Sequence, residues 1–239
     1  MARSLAAGSA IELGTRDVHV WRVRLSTVDA ESSWNVLSAD ERERASRFHY
    51  REHRDAWVAA HGMLRLILAG YADLPASALR FVTAAFGKPS LAETLDVRFN
   101  LSHSGDIALV AVARGREVGV DVEQWKGDIE HLELADHVFS AAERAALRAL
   151  PAAGRTEGFF AAWSRKEAYL KARGDGIAHG LDHFDVTLAP TLAARLIEDR
   201  SDVAALERWV MHALDAGHGY SAALVATAPV EDVLLCDAE

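Results

Sequence analysis

Cysteine is nearly absent from this chain of 239 residues: Cys236 is the only one, and prolines number five. A disulfide needs two cysteines and a cysteine-type metal cluster needs more, so neither framework can be built. Long apolar runs are missing too. The longest, residues 107–113, is far shorter than the ~20 residues of a membrane-spanning helix. The opening stretch MARSLAAGSAIELG has no convincing apolar region of the secretory type, and a cytoplasmic setting is expected. Positive charge is in deficit, with 26 Lys+Arg against 35 Asp+Glu and a net charge of -9. A general attraction to nucleic acid or to anionic membrane therefore has no electrostatic footing, and any phosphate site has to be local.

What is present reads as a folded chain. Half of the residues are apolar and 26% are charged, an ordinary globular balance, and the length suffices for one large domain or two small ones. The chain also repeats itself. Ser38-Ala-Asp-Glu-Arg and Ser140-Ala-Ala-Glu-Arg stand 102 residues apart. The same offset sets Trp57-Val-Ala-Ala-His61 opposite Phe159-Phe-Ala-Ala-Trp163, and Leu68 opposite Leu170. Further on, residues 108–113 match residues 223–228 at an offset of 115. Alanine matches are cheap, but Ser38 with Glu41 and Ser140 with Glu143 also share the spacing of a capping box, in which hydroxyl and carboxylate satisfy free amides at a helix start. Two similar halves follow, residues 1–116 and 117–239, joined near residues 114–118.

β-branched, aromatic and alternating composition predicts strands at residues 18–25, 80–83, 97–101 and 107–113, with two helices between the first two. The second half is expected to hold a strand at residues 118–123, helices at 141–150 and 156–173, and strands near Phe184, Trp209 and Tyr220. Pro151 and Gly174 supply helix stops.

Four segments carry chemistry. In Gly119-Val-Asp-Val-Glu123, period-2 geometry turns the valines to one face and Asp121 and Glu123 to the other. Two carboxylates on valine backing repel each other unless a cation lies between them, and hard oxygen ligands favour Mg²⁺. The same letters also fit a half-exposed strand with a polar face. In Trp163-Ser-Arg-Lys-Glu-Ala-Tyr-Leu-Lys171, Glu167 and Lys171 share a helical face at i, i+4, with Lys166 beside them. A surface ion pair is the commonest reason for that spacing, whereas the aromatic neighbours Phe159, Phe160, Trp163 and Tyr169 argue for burial. Phe99-Asn-Leu-Ser-His-Ser-Gly105 ends a strand in small polar groups that can meet a phosphate. A Ser-His hydrolase is disfavoured there, because Ser102 and His103 face opposite ways and no nucleophile-elbow glycines flank them. Arg44, Arg47, Arg51 and Arg54 align on one side if their segment is one helix. Acidic residues interleave with them as in a solvated, internally paired helix. Phe86-Gly-Lys-Pro89 holds Lys88 on a stiff turn.

Taken in order, FGKP, FNLSHSG, GVDVE and WSRKEAYLK resemble the motifs of the Sfp-type 4'-phosphopantetheinyl transferases, over nearly the whole stretch from Leu37 to Gly176. The resemblance implies an α+β fold, a pseudo-dimer of two similar α+β halves, in agreement with the repeat. It implies Mg²⁺-dependent transfer of the phosphopantetheine arm of coenzyme A to a serine of an apo acyl or peptidyl carrier protein, releasing adenosine 3',5'-bisphosphate. By the same resemblance Asp121, Glu123 and Glu167 would hold Mg²⁺. Glu167 would serve as base, directly or through water, and Lys171 would meet the leaving group. Lys88, Ser102 and His103 match positions that contact coenzyme A, with Lys166 assigned beside them. Arg44 and Arg54 lie where the 3'-phosphate is gripped, and which of them contacts it stays open. Glu41 stands where some relatives carry a basic residue, and Gly174-Asp-Gly176 departs from relatives in a loop tied to carrier preference. A monomer with no nucleic-acid or membrane partner is expected. Two other readings compete: a zinc peptidase on His49-Tyr-Arg-Glu-His53, which fits H-x-x-E-H, and a non-catalytic carrier- or coenzyme A-binding module.

Overall fold

β1 (Asp17–Arg24) is buried on both faces, with Val18 and Val20 in one apolar cluster and Trp21 and Val23 in another. The computed structural model of the chain describes residues 11–83, 87–92, 96–127, 130–174, 176 and 180–238. After β1 come three helices, α1 (Ala30–Val36), α2 (Ala39–Ser46) and α3 (Arg51–Ala72), where two were expected. The extra one is α1, started by Asp29, whose carboxylate accepts from the Ser32 amide. The capping box at Ser38 and Glu41 forms, as does the one at Ser140 and Glu143.

Strands β2 (Phe81–Thr83) and β3 (Pro89–Leu91) make a small ribbon; β4 (Val97–Ser104) and β5 (Ile107–Arg114) make a hairpin alongside β1. The second half runs β6 (Val118–Gln124), α4 (His131–Val138), α5 (Ala141–Ala149), α6 (Arg155–Arg173), β7 (Phe184–Val186), β8 (Leu196–Asp199), α7 (Ala205–Arg208), β9 (Trp209–Leu214), β10 (Tyr220–Thr227) and β11 (Asp232–Ala238).

The two main sheets are ordered β11-β1-β5-β4 and β6-β10-β9. β11 therefore leaves its own half and pairs in parallel with β1, from Asp17 opposite Asp232 to Val23 opposite Ala238. The end of the chain is thus carried across to the first sheet, where the last strand covers a β1 edge that would otherwise be open to other chains.

Three apolar layers hold the assembly. α3 packs on one face of the first sheet through Ile67, Leu68 and Trp21, and α6 packs on the second sheet through Phe159, Ala168 and Tyr169. Between the sheets lie Val18, Val20, Leu109, Ala111, Val118, Val120, Val122 and Leu224. The repeat is visible in this symmetry. In each half the capping-box glutamate reaches a buried cation from the long helix: Glu41 to Arg65 at 2.7 Å and Glu143 to Lys166 at 2.8 Å. Among the described residues no helix is long and apolar enough to cross a membrane.

Candidate functional site

β6 turns its valines into the core between the sheets and its odd-numbered residues toward α6. Gly119 is what lets helix and strand come so close. A Cβ there would land on the Ala168 carbonyl oxygen and the Ala172 amide nitrogen, with Ala172 Cα at 2.9 Å. Two residues on, Asp121 is 3% exposed and faces the same helix. Its Oδ1 accepts from Lys171 Nζ at 2.6 Å and from Ser102 Oγ at 2.9 Å, so β4, β6 and α6 converge on one carboxylate. Lys171 also donates to Ser102 Oγ at 3.0 Å. Glu123, next on that face, accepts from Ser104 Oγ at 3.0 Å.

The electrostatics of the site are those of crowded, desolvated carboxyls. Burial pushes Asp121, Glu123 and Glu167 above the usual carboxylate range, and the charge of Asp121 pushes the latter two further. Lys171 works against the rise at all three. Among the described residues no three His, Cys, Asp or Glu side chains are already gathered as a metal-binding group. Glu123 and Glu167 each feel the charge of Asp121, one of whose oxygens is held by Lys171 and Ser102. The residues still fit a hard divalent cation: all three supply oxygen ligands, and Asp121 Oδ2 is buried with no hydrogen-bond partner.

A cavity of about 200 Å³ opens beside this group, lined by Lys88, Asn100, Glu167, Leu170, Lys171 and Gly174. Lys88 closes one wall by donating to Glu117 Oε2 at 2.6 Å and to the Ala172 carbonyl at 3.0 Å, in the last turn of α6. Phe86 and Asp175, quoted above within their motifs, lie outside the described residues.

His103 is on the opposite face of β4 from Ser102. Partial desolvation and the neighbouring Lys171 charge depress its pKa, which favours the neutral imidazole. His61 on α3 stacks on Trp57 at 3.7 Å, and burial holds it down to about 3; His103 and Arg44 both add to that depression. Arg44 lies over Trp57, 5.5 Å from the ring centre, so Arg44, His61 and His103 share one neighbourhood. Arg54 instead donates to Asp55 at 2.8 and 3.0 Å.

Three expectations need correction here. The four arginines do not lie on one helix, since α2 ends at Ser46 and α3 begins at Arg51. For the same reason His49 precedes α3, and the H-x-x-E-H letters do not put two histidines on one helical face. Lys166 is not at the cleft either. Adjacent helix residues point about 100° apart, and Lys166 runs into the core, where its ammonium meets Glu143, the Leu181 carbonyl at 2.7 Å and the Phe184 carbonyl. In the first half Arg65 plays the similar part, one residue out of the repeat's register, and donates to the Ala76 and Leu79 carbonyls.

Comparison with known proteins bears on this geometry. Residues 117–225 match the family model "4'-phosphopantetheinyl transferase superfamily", and residues 21–115 match "4'-phosphopantetheinyl transferase, N-terminal". The 4'-phosphopantetheinyl transferase HetI of Nostoc sp. is 39% identical over 185 residues, covering 75% of this chain and 78% of that protein. The chain belongs to the 4'-phosphopantetheinyl transferase family. The 4'-phosphopantetheinyl transferase Sfp of Bacillus subtilis is 32% identical over 164 residues, covering 69% of this chain and 72% of that protein. The two family models match this transferase on either side of residue 116. Sequence reasoning missed Asn100 and Ser104 of the transferase as participants. Their signal was present: with Ser102 they recur every second residue, on one face of β4.

Proposed function

We propose that this enzyme moves the phosphopantetheine arm of coenzyme A onto a serine of an apo acyl or peptidyl carrier protein. The serine oxygen forms a bond to the phosphorus that carries pantetheine. The pyrophosphate P–O bond breaks, and adenosine 3',5'-bisphosphate departs with the bond's electrons. The serine proton passes to Glu167 or to a water that Glu167 orients, and Lys171 compensates the charge on the leaving group. Asp121, Glu123 and Glu167 would hold Mg²⁺, which when bound draws charge from the pyrophosphate oxygens. Lys88 and neutral His103 would contact coenzyme A, His103 as an N–H donor, whereas Ser102, expected there as well, has its hydroxyl engaged by Asp121, Val122 and Lys171. Arg44 is the better placed of the two arginines for the 3'-phosphate, since its neighbours are His61 and His103 while Arg54 is engaged by Asp55. The observation that carries the reading is Lys171 and the orphan oxygen of Asp121 at one cleft, in a chain of this family. With its one cysteine buried, the enzyme suits a reducing cytoplasm, and we take it to act as a monomer.

Incubation with an apo carrier, coenzyme A and Mg²⁺ is expected to add one phosphopantetheine to the carrier serine, read by intact mass. No gain on fatty-acid, polyketide and peptide carriers alike would overturn the proposal and leave a binding module.

Lys171→Ala is expected to lower turnover by roughly 10² to 10⁴, the scale for loss of a proton-transfer partner. Coenzyme A affinity should change far less, and a turnover within threefold of wild type would remove Lys171 from the reaction.

The raised carboxyls set the pH dependence. A group whose folded pKa is raised takes up its proton earlier as pH falls, and a protonated carboxyl does not hold a cation. Transfer should therefore decline on going from neutral to weakly acidic pH. Added Mg²⁺ should shift that decline to lower pH, because cation and proton compete for the same oxygens; a profile indifferent to Mg²⁺ would contradict this.

A further inference from the structure

β4 and β6 are edge strands of different sheets, and no backbone ladder joins them. Side chains of β4 take the place of the ladder. The amide of Val120 donates to Asn100 Oδ1 at 2.9 Å, that of Val122 to Ser102 Oγ at 3.4 Å, and that of Gln124 to Ser104 Oγ at 3.1 Å. The register advances by two on both strands, so every second amide along this edge of β6 finds a side-chain acceptor instead of being left bare.

The two serines then do something a backbone carbonyl cannot. A hydroxyl has one proton to give and two lone pairs to accept with. Ser102 gives its proton to Asp121 and accepts from Val122 and from Lys171. Its capacity is full, and it is 8% exposed. Ser104 gives its proton to Glu123 and accepts from Gln124. Each serine thus holds the backbone of β6 and, through the same oxygen, the carboxylate one residue earlier.

We propose that Asn100, Ser102 and Ser104 are positioning residues that dock the edge of β6 onto the first half and aim the Asp121 and Glu123 carboxylates into the cleft. The seam makes the spacing between halves and the aim of the acidic pair one and the same adjustment. This rests on the metal-dependent transferase reading above. Outer-shell partners of ligating carboxylates typically carry 10–100-fold of metal affinity.

Ser104 is the residue to test, because it is half-buried and its truncation leaves the core intact. On the full chain, Mn²⁺ affinity with coenzyme A present can be read by electron paramagnetic resonance, and coenzyme A affinity without metal by calorimetry. Ser104→Ala is expected to weaken Mn²⁺ binding about tenfold or more, with metal-free coenzyme A affinity within twofold. Ser104→Thr, which keeps the hydroxyl, should restore Mn²⁺ binding. Mn²⁺ affinity within twofold of wild type in Ser104→Ala would overturn the seam's positioning role while leaving the transferase reading in place. A loss of metal-free coenzyme A affinity would overturn it by making Ser104 a ligand contact. A wild-type protein that binds no Mn²⁺ would overturn the metal reading and this proposal with it.

Discussion

Asp121→Ala should reduce transfer by about 10³-fold or more, the range in which loss of a charge-stabilising group acts on phosphoryl transfer, while the protein stays folded. The two halves of that expectation have separate causes. Asp121 receives Lys171 and Ser102 on Oδ1 and leaves Oδ2 for a cation, so its removal takes away the group that α6 and β4 both address. Its burial is meanwhile unfavourable to its own charge. A carboxyl whose folded pKa is raised weakens the fold as pH climbs from its ordinary range through the folded value. At neutral pH the alanine variant therefore loses no net stabilising charge. The partner left behind, Lys171, is 28% exposed in its side chain and can turn to water. Circular dichroism and a melting temperature within a few degrees of wild type, beside lost transfer, is the expected result. Near-normal turnover would remove Asp121 from the site. Glu167→Gln should behave alike, since it keeps the shape and removes the charge.

Gly119→Ala should damage both stability and turnover, although Gly119 touches no substrate. The added methyl meets backbone on both sides, at Ala168 and Ala172, and backbone of a packed helix cannot swing aside as a side chain can. Overpacking of this kind costs about 1–3 kcal/mol, or roughly 2–12 °C in melting temperature at this chain length. α6 must move outward, taking Glu167 and Lys171 away from Asp121. Displacement of reacting groups by about 1 Å can cost 10²-fold in rate. A variant with wild-type melting and turnover would show that α6 and β6 are not in contact there. Asp121→Ala and Gly119→Ala thus separate chemistry from geometry: the first should spare the fold, the second should not.

Much of this was legible in the sequence because short covalent spacings dictate it. Alternation in GVDVE placed Asp121 and Glu123 on one face, and the i, i+4 spacing of Glu167 and Lys171 placed both on one helical face. The capping boxes at Ser38 and Ser140 located two helix starts to the residue. What escaped depends on distance along the chain or on a break within it. Nothing local in residues 232–238 says that they pair with β1 rather than with the second sheet, because that choice is made by contacts more than 200 residues apart in the chain. The arginine spacing is helical, yet the turn at residues 47–50 divides it, and spacing alone does not register a turn. Lys166 was drawn to the cleft by its neighbours in the motif. The angle between adjacent helix residues, and the match of Glu143 to Glu41, point it into the core. The side-chain seam from β4 to β6 was within reach from the alternation of Asn100, Ser102 and Ser104, but its partner strand was not.

In the proposed site a strand and a distant helix together hold one divalent ion across the cleft between the halves. Crystals grown with coenzyme A and Mn²⁺ can be measured for anomalous scattering at the manganese edge. A single peak within coordination distance of Asp121, Glu123 and Glu167, touching the pyrophosphate, is the predicted result. A bound coenzyme A with no peak there, or with manganese held away from Asp121 and Glu167, would contradict it.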